Sequence, residues 1–130
     1  MEKQRARSFR ELVVWRRAHH LVLEIYSMTR DFPKFELYGL TSQLRRAAVS
    51  VPANIAEGFK KRGAADKIRF LNIAEGSLEE CRYDLILATD LGYGNCLTLE
   101  RLADDVAALL NRYSAGIRRS HSRSRVKTEP

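Results

Sequence analysis

Cysteine, proline, glycine and long apolar runs are all scarce in this chain of 130 residues. It has two cysteines, three prolines and seven glycines. Two cysteines outside any Cys-x-x-Cys pair are too few for a disulfide framework, so we expect a reduced, cytoplasmic protein. Its apolar runs are only a few residues long, which argues against a membrane-spanning segment. We also expect no signal peptide, since no hydrophobic stretch follows the first residues.

The excess of positive charge is concentrated near the two ends of the sequence. The net charge is +7. Residues 1–10 contribute +3 and residues 118–130 contribute +4, whereas residues 11–117 carry fourteen basic and fourteen acidic side chains. We therefore predict a basic N-terminal arm over residues 1–8, a folded domain over residues 9–118, and a basic, disordered tail over residues 119–130.

Basic arms of this kind have two interpretations. They can contact RNA or DNA without sequence preference, or they can be solvated termini that aid solubility. Several copies of each arm in an oligomer would strengthen weak contacts through avidity. The candidate nucleic-acid contacts are Lys3, Arg5, Arg7, Arg118, Arg119, Arg123, Arg125 and Lys127.

Apolar residues recur every three or four positions in four segments, which predicts four amphipathic helices. The segments cover residues 9–30, 36–61 and 66–91, and the fourth begins at Thr98. The third segment shows the most regular heptad spacing. Four helices with short connections predict an all-α, up-down-up-down antiparallel four-helix bundle.

Local signals predict where these helices begin, end or bend. Ser8 with Glu11 three residues later has the spacing of a capping box, and Thr98 is a suitable N-cap for the fourth helix. Gly92 fits the end of the third helix. Pro52 lies inside the second segment and predicts either a kinked helix or a break. The apolar stripe keeps its phase through Pro52, which favours one kinked helix.

The pentapeptide Asn-Ile-Ala-Glu-Gly occurs twice, at 54–58 and at 72–76. If the flanking helices fold back near residue 65, Gly58 would lie near Asn72, and Asn54 near Gly76. The two glycines would then indicate close backbone approach, within the hairpin or against another chain.

A polar belt should accompany the repeat, because residues three or four apart share one helix face. It has two interpretations: a ligand or partner site, or a structural network that fixes helix register or a subunit contact. The structural interpretation is favoured. Its members are Arg46, Ser50, Asn54 and Glu57 on the second helix, and Arg69, Asn72, Glu75 and Ser77 on the third.

The sequence gives little support for catalysis, and we predict neither an enzyme nor a bound cofactor. It contains no phosphate-binding loop motif. It also lacks the Glu-x-x-His motif with which helical bundles bind two metal ions. Trp15, His19 and Tyr26 at helical spacing could form a stacking platform for bases, but packing is the favoured interpretation.

The second helix and the segment before it resemble the 23S rRNA-intervening-sequence protein family. The resemblance rests on Phe32-Pro33, Glu36, Gly39-Leu40, Gln43, Arg45-Arg46-Ala47, Ser50, Pro52 and Asn54–Gly58, with support from Leu12, Val14-Trp15, Ala18 and Phe70–Leu78. It implies a four-helix bundle that assembles as a ring-shaped homopentamer, without known catalytic activity. The family name by itself does not establish RNA binding.

Two functions are consistent with these observations. The first is a non-catalytic oligomeric bundle that acts as a scaffold or adaptor. The alternative is a ring that binds RNA or DNA with its basic arms.

Overall fold

The computed structural model describes residues 5–128, with side chains described as far as residue 123, and these residues form four α-helices. Two short 3-10 turns, Phe9–Glu11 and Lys34–Glu36, precede the first and second helices. Helices α1 to α4 are Val13–Thr29, Leu40–Lys60, Ala64–Asp90 and Leu97–Thr128. No strand occurs between residues 5 and 128. The predicted all-α, four-helix architecture is confirmed.

Each helix packs against the next one along the chain, and α4 closes the bundle against α1. The seam predicted on α3 is buried throughout, from Leu71 through Cys81 to Ala88. Burial of a large apolar side chain stabilises a fold by roughly 1.5–3 kcal/mol. The largest fully buried apolar side chains include Leu21, Ile25, Leu44, Ile55, Leu71, Leu78, Leu85 and Leu110. No helix in the described part of the chain combines the length and apolarity needed to cross a bilayer.

Helices α1 and α2 each begin four residues later than predicted, at Val13 and Leu40, and the two predicted N-caps do not cap α1 or α4. The Ser8 hydroxyl accepts from the Arg10 amide at 3.2 Å, and Glu11 accepts from the Arg7 amide at 2.8 Å. These contacts cap the short turn at Phe9–Glu11, and extended Leu12 separates that turn from α1. The start of α4 is capped by the side-chain oxygen of Asn95, which accepts from the Leu97 amide at 3.1 Å, so Thr98 is not the N-cap.

Helix α2 runs without interruption through Pro52, which is buried. One helix is therefore the correct interpretation, and a break is not. The end of α3 also follows its sequence signal. Gly92 has a φ of 78°, and the amides of Gly92 and Tyr93 bond to the carbonyls of Thr89 and Ala88. This is a Schellman motif, in which a left-handed glycine ends the helix.

The fourth helix extends beyond the predicted domain boundary. It continues to Thr128, so residues 119–128 are helical where the sequence predicts a disordered tail. Immediately before this extension, the Arg118 guanidinium donates to the Asn72 side-chain oxygen on α3 at 2.7 Å. The segment from 119 to 128 contains no glycine or proline to end the helix.

The alternating helix directions bring four segments to one end of the bundle. They are the segment leading into α1, the end of α2, the start of α3 and the last turns of α4. The two remaining connections lie at the opposite end, where Tyr93 donates to Glu36 at 2.6 Å.

Candidate functional site

Three of the predicted belt residues meet between α2 and α3. The Ser50 and Ser77 hydroxyls are 2.7 Å apart. The Asn54 amide donates to the Ser50 carbonyl at 2.8 Å and to its hydroxyl at 3.0 Å. This arrangement joins the two helices through neutral groups, as a structural network does.

Of the other belt residues, only Arg46 lies beside this network. Asn72 contacts α4 through Arg118. The Arg69 guanidinium lies 3.8 Å from Asp66 and 5.1 Å from the centre of the Phe70 ring. Glu75 lines a groove between α3 and α4. Arg46 lines a small pocket beside Ser50 and Ser77, whereas Glu57 is exposed.

The belt is divided because α2 and α3 pack about one turn away from the expected register. A methyl group built on Gly58 would lie 3.2 Å from the Phe70 Cβ and 3.3 Å from the Lys67 carbonyl. Gly58 therefore approaches the segment before Asn72. A methyl group on Gly76 would meet no described atom within 4 Å, so Gly76 is not needed for packing within the hairpin.

Asp84 is a buried carboxylate that the sequence reasoning missed. It is 0% exposed between α2 and α3, and its Oδ1 accepts from the Gln43 side chain at 2.8 Å. Its Oδ2 has no hydrogen-bond partner among the described residues. Burial raises the pKa of Asp84, the Gln43 hydrogen bond partly opposes this, and nearby Glu80 adds to it. Its place between Cys81 and Leu85 on the seam could have identified it as buried.

The cysteine thiols are also buried. Burial raises the pKa of Cys81 to about 12, so its thiol remains protonated at neutral pH. Burial also raises the pKa of Cys96. Both side chains therefore act as small hydrophobic groups, because the thiolate is the reactive form of cysteine.

The fold gathers basic residues from four segments at one end of the bundle, which we call the basic end. Only Glu11, Glu57 and Asp66 are acidic in the described parts of these segments. The basic end carries Arg5, Arg7, Arg10, Arg16, Lys60, Lys61, Arg62, Lys67, Arg69, Arg112, Arg118, Arg119 and Arg123.

The remaining length of the bundle is rich in acidic residues. These are Glu24, Asp31, Glu36, Glu75, Glu79, Glu80, Asp84, Asp90, Glu100, Asp104 and Asp105. The domain is therefore electrically polar along its axis, although residues 11–117 have equal numbers of acidic and basic groups. Such a field attracts anionic partners to one end.

Lys67 organises the middle of the basic end. Its ammonium donates to the Phe59 and Gly58 carbonyls at 2.8 and 3.3 Å, which satisfies carbonyls at the end of α2. Burial lowers the pKa of Lys67. Lys61 lies 5.0 Å from the centre of the Phe70 ring. These contacts fix the turn between α2 and α3, which carries the exposed Arg62.

A pocket of about 500 Å³ opens between α3 and α4 at the basic end. Its lining combines apolar groups with three basic side chains. The lining residues are Arg62, Ala64, Lys67, Arg112, Tyr113, Gly116, Ile117 and Ser120.

The predicted nucleic-acid contacts fall into three groups. Arg5 and Arg7 are exposed beside the first turn, and Arg118, Arg119 and Arg123 are exposed on α4. Lys3 lies outside the described residues, as do the side chains of Arg125 and Lys127. Sequence reasoning missed the contribution of residues 60–69 and of Arg112, because it treated the domain body as neutral.

The sequence profile of the 23S rRNA-intervening sequence protein family matches residues 10–114. This chain belongs to that family. The match covers α1, α2, α3 and the first part of α4, and it confirms the resemblance found in the sequence. No curated protein matches the chain.

The segment matched by the family profile contains only part of the basic end. Residues 60–69 and Arg112 lie inside it, whereas Arg118, Arg119 and Arg123 follow it. The last turns of α4 thus add positive charge to a basic surface that residues 10–114 of this chain already form.

The aromatic side chains of α1 are packed against neighbouring side chains. The Trp15 and His19 rings are stacked with centroids 5.1 Å apart, and Phe9 lies 5.0 Å from Trp15. Trp15 also packs against the core, and Arg45 covers the Tyr26 ring at 4.8 Å. These contacts favour the packing interpretation over a platform for bases. Within the described residues, no group of three or more His, Cys, Asp or Glu side chains is arranged to bind a metal ion.

Proposed function

We propose that this chain is a non-catalytic adaptor that binds the phosphate backbone of RNA or DNA at its basic end. The observation that carries the proposal is the convergence of basic side chains from four separate segments on one end of the bundle. The cytoplasmic location and the lack of catalysis remain predictions.

The composition of the basic end favours nucleic acid over smaller anions. Cations from the α2–α3 turn, from Arg112 and from the last turns of α4 form an extended surface rather than a single point. A polyanion can engage many of these cations together and release its condensed counterions, which drives association. Because phosphates are present at every nucleotide, the contacts should depend little on base sequence.

The wild-type protein should bind labelled RNA and DNA strands in a strongly salt-dependent manner. If six basic side chains contact phosphates, the affinity between 50 and 200 mM salt should fall roughly a thousandfold for a duplex and a few hundredfold for a single strand. Fluorescence anisotropy at both salt concentrations measures this change. Absence of binding at 50 mM salt, or an affinity independent of salt, would contradict the proposal.

We also propose that copies of the chain associate through two apolar surfaces. The outer face of α2 and α3 exposes Val49, Ile73 and Tyr83 around the open position Gly76. At the end of the bundle opposite the basic end, the side chains of Phe35 and Tyr38 are 79% and 94% exposed. Two different patches on one chain suit a head-to-tail contact between copies, which can close into a ring. A homopentamer is the size that the family resemblance suggests.

Self-association should be lost when a charge is placed on the outer face of α2 and α3. Light scattering should give a mass several times 14.9 kDa for the wild type, and a mass near the monomer for Ile73→Lys. The matched control is Leu23→Lys, which places the same charge on an exposed position of α1 and should leave the mass unchanged. A monomeric wild type would refute the proposal.

A further inference from the structure

We infer that the pocket at the basic end receives one unpaired nucleobase of the bound strand. Arg62 and Arg112 then contact the phosphates on either side of that base. The inference rests on the proposed function and deepens it, because it predicts that an unpaired base contributes to binding in addition to the phosphates.

The dimensions and lining of the pocket suit a flat, largely apolar group. Its volume of about 500 Å³ lies within the usual range for small-molecule sites, roughly 300–1,000 Å³. The Tyr113 ring and the Ile117 side chain supply apolar surface. A methyl group on Gly116 would have the Arg119 guanidinium, at 4.0 Å, as its nearest neighbour. Because Gly116 has no side chain, it leaves free space at this wall of the pocket.

The charges around the pocket match a nucleotide rather than a neutral ligand. Arg62 and Arg112 are exposed at its rim, where their guanidinium groups can bind phosphate oxygens. Lys67 contributes positive charge from within, while its ammonium is held by the α2 carbonyls. Tyrosine is uncharged at neutral pH, and burial raises the pKa of Tyr113 further, so a neutral ring is available to contact a base.

A base within a duplex cannot enter the pocket, since it is stacked and paired with its neighbours. Only an unpaired or extruded base presents its faces to a protein pocket. Contact between a base and an aromatic side chain typically changes affinity by about 5- to 150-fold. The pocket should therefore increase the affinity for an intact single strand by this factor, relative to an abasic strand with the same phosphates.

Fluorescence anisotropy with three labelled ligands at 50 mM salt tests the inference on the intact wild-type protein. The ligands are a single strand, the same strand with its bases removed, and the duplex. The single strand should bind at least about fivefold more tightly than the abasic strand, which has the same phosphates. Equal affinity for the intact and the abasic strand would overturn the inference.

A variant that fills the pocket gives a second measurement. Gly116→Leu adds volume without changing charge, and leucine favours helix formation more than glycine does. It should abolish the preference for the intact strand while the dependence on salt remains. Ala108→Leu, at an exposed position of the same helix, should keep the preference. An unchanged preference in Gly116→Leu would also overturn the inference.

The same experiment separates failure of the pocket inference from failure of the proposed function. If the protein binds all three ligands equally and with strong salt dependence, phosphate binding stands and the nucleobase pocket does not. If no ligand binds at 50 mM salt, both fail. With an apolar peptide as a fourth ligand, loss of peptide binding but not of strand binding in Gly116→Leu would assign the pocket to a protein side chain and overturn the inference.

Discussion

Replacement of Lys60, Lys61 and Arg62 by glutamate is expected to lower the affinity for RNA and DNA by at least about 100-fold at 0.1 M salt. Each lost phosphate contact removes close to one unit from the salt dependence of binding. Three lost contacts at this salt concentration correspond to a factor of several hundred. The three residues lie at the turn between α2 and α3, where glutamate also repels the phosphates. Anisotropy titrations at several salt concentrations measure both the affinity and its slope.

A matched variant separates position from overall charge. Glutamate at Arg30, Lys34 and Arg101 changes the net charge by the same amount but places it toward the opposite end of the bundle, where all three side chains are exposed. This variant should bind with nearly wild-type affinity and an unchanged slope. Equal losses in the two variants would show that net charge, rather than the basic end, governs binding.

Replacement of Asp84 by leucine should stabilise the protein at neutral pH by about 1–3 kcal/mol. A buried polar atom without a partner destabilises a fold by roughly this amount, and Asp84 Oδ2 has no partner among the described residues. Leucine is apolar and has the same number and branching of side-chain heavy atoms, and Gln43 can return to solvent because it is exposed. Gln43→Ala is the informative comparison, because it removes the hydrogen bond and leaves the carboxylate buried. It should lower the free energy of unfolding at pH 7.

The effect of the leucine substitution should depend on pH in a defined direction. Because burial raises the pKa of Asp84 above its unfolded value, its contribution to stability is greatest in acid and is lost as the pH rises through the folded pKa. The gain from leucine should therefore be larger at pH 7 than at pH 4. Urea unfolding at both pH values measures it. A variant that is less stable than the wild type at pH 7 would show that the carboxylate has a stabilising partner.

The helices could be predicted because their determinants are local. The spacing of Leu71, Leu78 and Leu85 marks the buried face of α3, and these side chains are buried in the structure. The helix starts were harder to predict. Ser8 caps the short turn before α1 rather than α1 itself, and Asn95, rather than Thr98, caps α4. A hydroxyl or amide can cap any nearby turn, so its presence does not set the first helical residue.

The contacts made by the polar belt residues could not be predicted from the sequence. These residues share helix faces, but their contacts depend on the relative register of α2 and α3. That register follows from the close approach of Gly58 to Phe70 and from the other packing contacts. As a result Ser50 meets Ser77, whereas Asn72 and Glu75 face α4.

A sum of charges along the sequence does not reveal the basic end, because its residues are distant from one another in the sequence. Lys60–Arg62 and Arg112 are separated from both termini in sequence, and acidic residues elsewhere cancel them in the total. Only the antiparallel arrangement of the helices brings these cations beside Arg118 and Arg119. Counting charge at each end of the predicted bundle would have revealed the asymmetry, since the helix order alone specifies which segments lie together.

The most direct test of nucleic-acid binding at the basic end is a titration of the isotopically labelled protein with a single-stranded oligonucleotide, followed by amide NMR spectra. We predict that the perturbed amides lie at the start of the chain, in residues 58–70 and in residues 112–123. Perturbations confined to the opposite end or to the outer face of α2 and α3, or none at low salt, would contradict the account.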